Sequence, residues 1–479
     1  MTTAKMEETS LNYIGGEWVD SDDHEIVRLP YDYSPVGKVP RAEAAVVDKA
    51  VAAAKQGLRR MREMANCERA DLLARIGELV KRDLAEYTHL ICAETGKPIR
   101  EARVEAERAL ATLLASAHEA RQLHGEVVPM DFAPMGKGRM AMTVREPLGV
   151  IGCITPFNVP LNLGLHKVGP ALAGGNAVVH KPATKTPLSA ARLAHTMEEA
   201  GVPKGAYNLI TGSGAKIGMA LAEHPGVAML TFTGSPEVGR TIKARAGFKK
   251  VTLELGNNSA VIVEPEADLG TAVTRTVQGA FSHSGQVCIS VQRVFAHERV
   301  YGEFVDRLKA ATEALKIGHP YEESTDISSL IDETEAIRIE QWIQEAVARG
   351  AKVVTGGTRK FATVAPAVLV NVPDSCSISC REAFGPLVAI YTYSNLDDAI
   401  ERANATPYGL QAGIFSSDLQ RAFRAARKLE VGGVMINDIP MYRADHMPYG
   451  GVKESGTGRE GPKYAIEEMT EMKLICWKV

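Results

Sequence analysis

No run in this 479-residue sequence approaches the roughly 20 apolar residues that a membrane-spanning helix needs, so a membrane protein is not expected. Charge of one sign is also missing. The 55 basic and 58 acidic residues leave a formal net charge of −3, which offers nucleic acid or an anionic bilayer no electrostatic handle. Cysteine is sparse and odd in number: Cys67, Cys92, Cys153, Cys288, Cys376, Cys380 and Cys476 are too scattered for a disulfide framework. Cys376 and Cys380 have no second Cys or His pair nearby to complete a zinc set, so both read as structural and no metal is expected. The N-terminal MTTAKMEETSLNYIGGEW lacks the apolar core of a secretory signal and carries acids foreign to a transit peptide. The cytoplasm is the expected location. Internal repeats and low-complexity segments are absent too.

What is present is alternation. A chain of this length exceeds a single hydrophobic core, so two or three domains are expected. Residues 42–125 carry apolar positions at helical spacing. From about residue 145, apolar runs such as GVIGCIT, NAVVHK, AYNLIT and VAMLTFTG alternate with amphipathic stretches. Strands that are apolar throughout, separated by helices, predict a parallel sheet covered on both faces. The pattern resumes after residue 255 with AVIVE, VQRVFAH, AKVVTG and GVMIND, which predicts a second α/β unit. The fold class is α/β with doubly wound parallel sheets. Residues 126–146, with alternating apolar positions around Gly-Lys-Gly, predict a hairpin outside the main sheets.

Several short motifs admit a chemical reading beside a plain one. FTGSPEVGR places Ser235 at a helix N-cap, with Gly234 and Gly239 around it. Such a turn exposes backbone N–H groups to a phosphate, although the spacing is not GxGxxG and a simple strand-to-helix turn fits equally. LITGSGAKIG, with Gly214, gives a second glycine turn. Lys181 ends a strand in VVHKPATKTP and is either a crevice residue or a solvated lysine. Glu254 in VTLELGNNSA is either solvent-facing or a buried carboxylate suited to general-base work. Asn158 in ITPFNVPLN is either a turn cap or a fixed oxyanion donor. Cys288 in SHSGQVCIS is either a small buried hydrophobe or a nucleophile, and local spacing does not choose.

Seven motifs in one order, ITPFNVPLN, VVHKPA, FTGSPEVG, LELGNNSA, GQVC, EAFGPL and MPYGGVKESGTGREG, resemble the aldehyde dehydrogenase superfamily over essentially the whole length. The resemblance implies Cys288 as nucleophile, Glu254 as general base and Asn158 as oxyanion donor. It implies NADP or NAD as coenzyme, with Lys181 at the adenosine ribose and Ser235 at the pyrophosphate. Glu382 and Phe384 would hold the nicotinamide end. Ile154, Thr155, Pro156, Phe157, Ala183, Thr184, Gly214, Phe232, Gly234, Val238, Leu255 and Gly256 complete the implied coenzyme set. Relatives that prefer NAD commonly carry glutamate where this chain has Thr184, so acceptance of NADP+ is expected. The closing stretch IPMYRADHMPYGG is similar to the branch acting on small polar aldehydes, in which Arg443 and Arg108 match arginines that meet an anionic group. Val287 stands where phosphonate-type relatives often carry arginine, so a small hydroxylated or singly anionic aldehyde is expected. The resemblance also implies a coenzyme domain (1–126 and 147–254), a catalytic domain (255–463) and an oligomerisation region (127–146 and 464–479) in a homodimer or homotetramer. Two other classes stand beside this reading: a thiol-dependent esterase or acyltransferase working without coenzyme, and a non-catalytic relative.

Overall fold

The structure, a computed structural model, describes residues 10–479. Two large sheets organise them. The first has eight strands, and five in its middle run parallel. Val150–Ile154 lies at its centre. Ala177–Lys181 and then Tyr207–Leu209 add on one side, and Met229–Thr233 and Lys250–Glu254 add on the other. The order therefore reverses between Val150–Ile154 and Met229–Thr233, and a crevice opens there at the carboxyl ends of the strands. Burial explains why these segments are apolar throughout. Ile151, Cys153 and Val178 pack into one core, while Val150, Ile154 and Val179 pack into another on the opposite face.

The second sheet has seven strands. Ser259–Val263, Val291–His297, Leu387–Tyr393, Ala367–Val370, Gln411–Phe415 and Gly433–Ile436 all run parallel. Alternation again splits its central strand, with Ala260 and Ile262 on one face and Val261 and Val263 on the other. Each sheet carries antiparallel strands toward an edge, where sequence patterning predicted parallel strands only. Asn12–Ile14 pairs antiparallel with Tyr207–Leu209, and Lys352–Thr355 with Ala367–Val370. Edge strands have one solvated side and can be reached by a short return of the chain, so the parallel crossover does not bind them. Gly456–Thr457 is another such return, adding antiparallel to Lys250–Glu254.

Residues 45–122 are helical almost throughout. The region 127–147 supplies short Val127–Val128 and long Arg139–Pro147, and Thr470–Lys478 pairs with the latter over nine residues. No helix among the described residues is long and apolar enough to cross a membrane. Of the two clustered cysteines, Cys376 is buried but Cys380 is exposed, so only the former has a core role.

One helix is held against the first sheet by a close backbone approach. Ala45–Glu63 buries Val47, Ala50, Val51, Ala54 and Gly57 along one face. A methyl group on Gly57 would lie 2.1 Å from the Ala206 backbone nitrogen. Gly57→Ala is therefore expected to lower stability by about 1–3 kcal/mol through overpacking, despite the better helix propensity of alanine. A urea midpoint equal to or above that of the wild type would contradict this contact.

Candidate active site

Leu255 to Asn258 join the end of Lys250–Glu254 directly to the start of Ser259–Val263. That short link sets the carboxyl ends of the first sheet against the amino ends of the second. A groove of about 480 Å³ lies between them. It gathers Pro156, Phe157 and Asn158 from the loop after Val150–Ile154, Ala183 from the next loop, and Gly234 and Ser235 from the third. Glu254, Leu255 and Gly256 form its floor, and Cys288, Glu382 and Phe384 come from the second sheet's side.

Cys288 sits three residues before Val291–His297, at the end of a strained turn. His283, Ser284 and Gly285 all have left-handed backbones, with φ of 48°, 54° and 73°. Gly285 tolerates no side chain, because a Cβ there would meet the Gly385 carbonyl oxygen at 2.1 Å. The half-buried Cys288 places its Sγ 3.0 Å from the Tyr449 hydroxyl. Burial pushes the thiol up to about 12, with Glu382 and Glu254 adding to the effect, while the Tyr449 hydroxyl and Arg443 oppose it. The sulfur therefore rests as a thiol and needs a base to become nucleophilic.

Asn158 is buried, and its Nδ2 donates to the Gln286 carbonyl at 2.8 Å. An amide nitrogen carries two hydrogens, so one remains for a ligand beside Cys288. Its turn is also tied down, since the Asn158 carbonyl accepts from Lys97 Nζ at 2.7 Å.

Glu254 is buried and neither carboxyl oxygen has a partner in the protein. Loss of hydration raises its pKa well above the ordinary value. Glu460 adds to this, and Lys167, Arg443 and Arg459 oppose it. Burial also works to raise Glu460, but Lys167 and Arg443 outweigh it and hold that carboxyl low. Lys167 Nζ lies 2.6 Å from Glu460 Oε1, and Arg443 donates to Oε2 at 3.1 Å. A basic, unpartnered carboxyl and a thiol thus line one groove, which is what proton transfer from sulfur or water requires.

The opposite end of the groove suits a dinucleotide. Ser235 caps the helix Pro236–Arg245 by accepting from Val238 N, so the helix N-terminus faces the crevice. Ile154 and Phe232 are buried strand ends beneath that floor, Thr155 bonds His180 Nε2 at 3.1 Å, and Val238 lies exposed on the helix. Lys181 is only 2 % exposed, which removes the solvated reading; burial lowers it to about 8, and its Nζ bonds the Pro182 carbonyl beside Gly214. Glu382 accepts from Asn257 N at 3.0 Å, and burial raises it to about 7. Phe384 meets Phe157 edge-on at 5.7 Å. Thr184 bonds the Gly212 carbonyl at 3.1 Å. Its neighbour Lys185 lines the groove and is paired with Asp332.

The two arginines differ. The Arg443 side chain is only 6% exposed, its guanidinium stacks 3.6 Å above the Tyr449 ring centre, and its Nε has no partner. Arg108 gives Nε and one terminal nitrogen to Asp445 at 3.1 and 2.8 Å. Asp445 also accepts from Asn162 and bonds His166. Sequence reasoning assigned no role to Tyr449, Lys167, Glu460, Lys97 or Lys185. Tyr449 and Glu460 lay within the quoted motif MPYGGVKESGTGREG, and Lys185 within VVHKPATKTP; Lys167 and Lys97 showed no local signal.

The aldehyde dehydrogenase family model matches residues 18–475. The chain is 50% identical over 463 residues to a 3-sulfolactaldehyde dehydrogenase of Priestia megaterium, covering 97% of each chain. It is 38% identical over 468 residues to a lactaldehyde dehydrogenase of Methanocaldococcus jannaschii, covering 97% of this chain and 99% of that one. The crystal structure of a glyceraldehyde-3-phosphate dehydrogenase of the same organism, complexed with NADP, superposes with a TM-score of 0.92 at 37% identity, covering 96% of this chain and 100% of that one. The chain belongs to the aldehyde dehydrogenase family and is an NAD(P)+-dependent oxidoreductase acting on an aldehyde.

Proposed function

We propose that the chain oxidises a small hydroxylated aldehyde bearing a single anionic group of the sulfonate kind to its carboxylic acid, with NADP+ preferred. The observation that carries the substrate class is Arg443. Its guanidinium lies on Tyr449, whose hydroxyl touches the Cys288 sulfur, and its Nε is unspent. Arg443 shares the single Glu460 carboxylate with Lys167 and keeps its Nε free, so an anion entering beside it meets an open charged donor. The similarity to the 3-sulfolactaldehyde dehydrogenase supports the same class. Arg108 has its charge matched by Asp445, which makes Arg443 the better supported anchor. Val287 leaves no second cation next to the nucleophile for a doubly charged phosphonate.

In the proposed mechanism a base takes the Cys288 proton and the thiolate attacks the aldehyde carbon. The tetrahedral oxyanion is met by the free hydrogen of Asn158 Nδ2 and the backbone N–H of Cys288. NAD(P)+, when bound in the groove, supplies the hydride acceptor that converts the thiohemiacetal to a thioester. Glu254 then deprotonates a water that hydrolyses the thioester, releasing the acid and the thiol. An esterase working without coenzyme has no use for a groove with a capped helix N-terminus at one end and Phe384 and Glu382 at the other.

The eight-stranded sheet supports assigning residues 1–126 and 147–254 to coenzyme binding, and the seven-stranded sheet 255–463 to catalysis, with Gly456–Thr457 crossing back. Met472, Leu474, Ile475 and Trp477 stand exposed on Thr470–Lys478, which supports covering by a second copy in a dimer or tetramer. We place the protein in the cytoplasm.

The ratio of kcat/KM for NADP+ over NAD+ is expected to be about tenfold or more, because Lys181 and Lys185 attract a 2′-phosphate and no carboxylate repels it at Thr184. A preference for NAD+ would overturn this. Arg443→Ala is expected to lower selectivity for a sulfonated over a neutral hydroxyaldehyde by roughly 10- to 100-fold, the worth of one charge-assisted hydrogen bond. An unchanged ratio would remove Arg443 as the anchor.

A further inference from the structure

The helix Ile99–Gln122 carries Glu101 and Glu105 four residues apart, so both face the same way one turn from each other. Lys97 stands just before its first turn. Lys97 and Glu105 are buried and paired at 2.5 Å. None of the three lines the groove, yet each grips a chain segment that supplies residues to it.

Lys97 Nζ donates to the Asn158 carbonyl at 2.7 Å. Glu105 Oε1 accepts the backbone N–H groups of Leu161 at 2.9 Å and Asn162 at 3.3 Å, both in the first turn of Pro160–Ala173. Those amides have no partner within their own helix and carry its positive end, so a carboxylate is the fitting acceptor. Lys97 and Glu105 thus hold Asn158 from both sides. Glu101 Oε2 accepts His283 N at 2.7 Å, at the start of the left-handed run leading to Cys288. The bond from Asn158 Nδ2 to the Gln286 carbonyl links the two gripped segments.

We infer that Lys97, Glu105 and Glu101 are positioning residues that set the oxyanion site from one helix, fixing the Asn158 amide against the backbone N–H of Cys288. The inference rests on the oxyanion role proposed above for Asn158. A buried ion pair is a poor source of stability compared with apolar packing of the same volume. Its use here is geometric: two loops from different sheets must hold two donors at a fixed separation, and each loop receives a charge-assisted bond from the same helix. Loss of one grip shifts a donor without removing it.

The test is a double-mutant cycle between Lys97→Met and Asn158→Ala, read as the rate of the first-turnover burst of reduced coenzyme. Coenzyme affinity is followed by fluorescence titration. Removing a single oxyanion donor costs about 10²–10³-fold. Lys97→Met alone is expected to slow the burst by roughly 10- to 100-fold, the effect of a misplaced group, with coenzyme Kd within about twofold. In the Asn158→Ala background Lys97→Met is expected to cost less than about threefold, because the group it positions is gone. Multiplicative losses would overturn the inference and leave Lys97 a general structural residue. So would a wild-type burst in Lys97→Met. A wild-type burst in Asn158→Ala is a different result: it would overturn the oxyanion assignment itself, and the clamp with it. If Lys97→Met does not fold, the isosteric Glu105→Gln carries the same cycle with the same outcomes.

Discussion

The structure depends on one constraint, the brevity of the connection Leu255–Asn258 between two parallel sheets. A parallel strand ends at the carboxyl edge of its sheet, and the next begins at the amino edge of another. With four residues between them the two edges must meet. Everything with chemical consequence lies along that seam: Glu254 at the last position of one strand, Asn158 after another, and Cys288 just before a strand of the second sheet. The same meeting buries Glu254. Its carboxyl has no partner and its pKa is raised, which is the property a base needs near neutral pH.

The charges around the seam divide into groups with different effects. Lys167, Arg443 and Glu460 form a buried set beside Glu254, with Arg443 also stacked on Tyr449. Arg108, Asp445, Asn162 and His166 form a second, in which one carboxylate receives four hydrogen bonds from three partners. Lys97, Glu105 and Glu101 form a third that grips the backbone of the two segments leading to Asn158 and Cys288. The first set tunes the reacting groups, whereas the third holds them in place.

Much of this was legible in the sequence because strands buried on both faces must be apolar throughout, and helices covering them must be amphipathic. The helix Leu269–Phe281 and the strand Val291–His297 fall where the pattern places them. Edge strands were not legible as antiparallel, because pairing direction leaves no mark on segments of two to four residues. For Glu254, alternation could not choose between faces, since the strand is covered on both. Lys185, which lines the groove beside the expected Thr184, carried no such signal. Lys97 and Glu105 left no signal at all. Only the fold shows that Lys97, just before the helix, and Glu105, on it, meet the segment of Asn158.

The central claim is the division of labour between Cys288, which forms the covalent intermediate, and Glu254, which releases it. The measurement that tests it most directly is a rapid-mixing experiment on Glu254→Gln with aldehyde and coenzyme, followed by mass spectrometry of the acid-quenched protein. The account predicts a burst of about one equivalent of reduced coenzyme per site, an acyl group on Cys288, and steady turnover lowered by roughly 10²–10⁴-fold, the usual worth of a general base. Steady turnover at the wild-type rate, or no acyl group on Cys288, would contradict it.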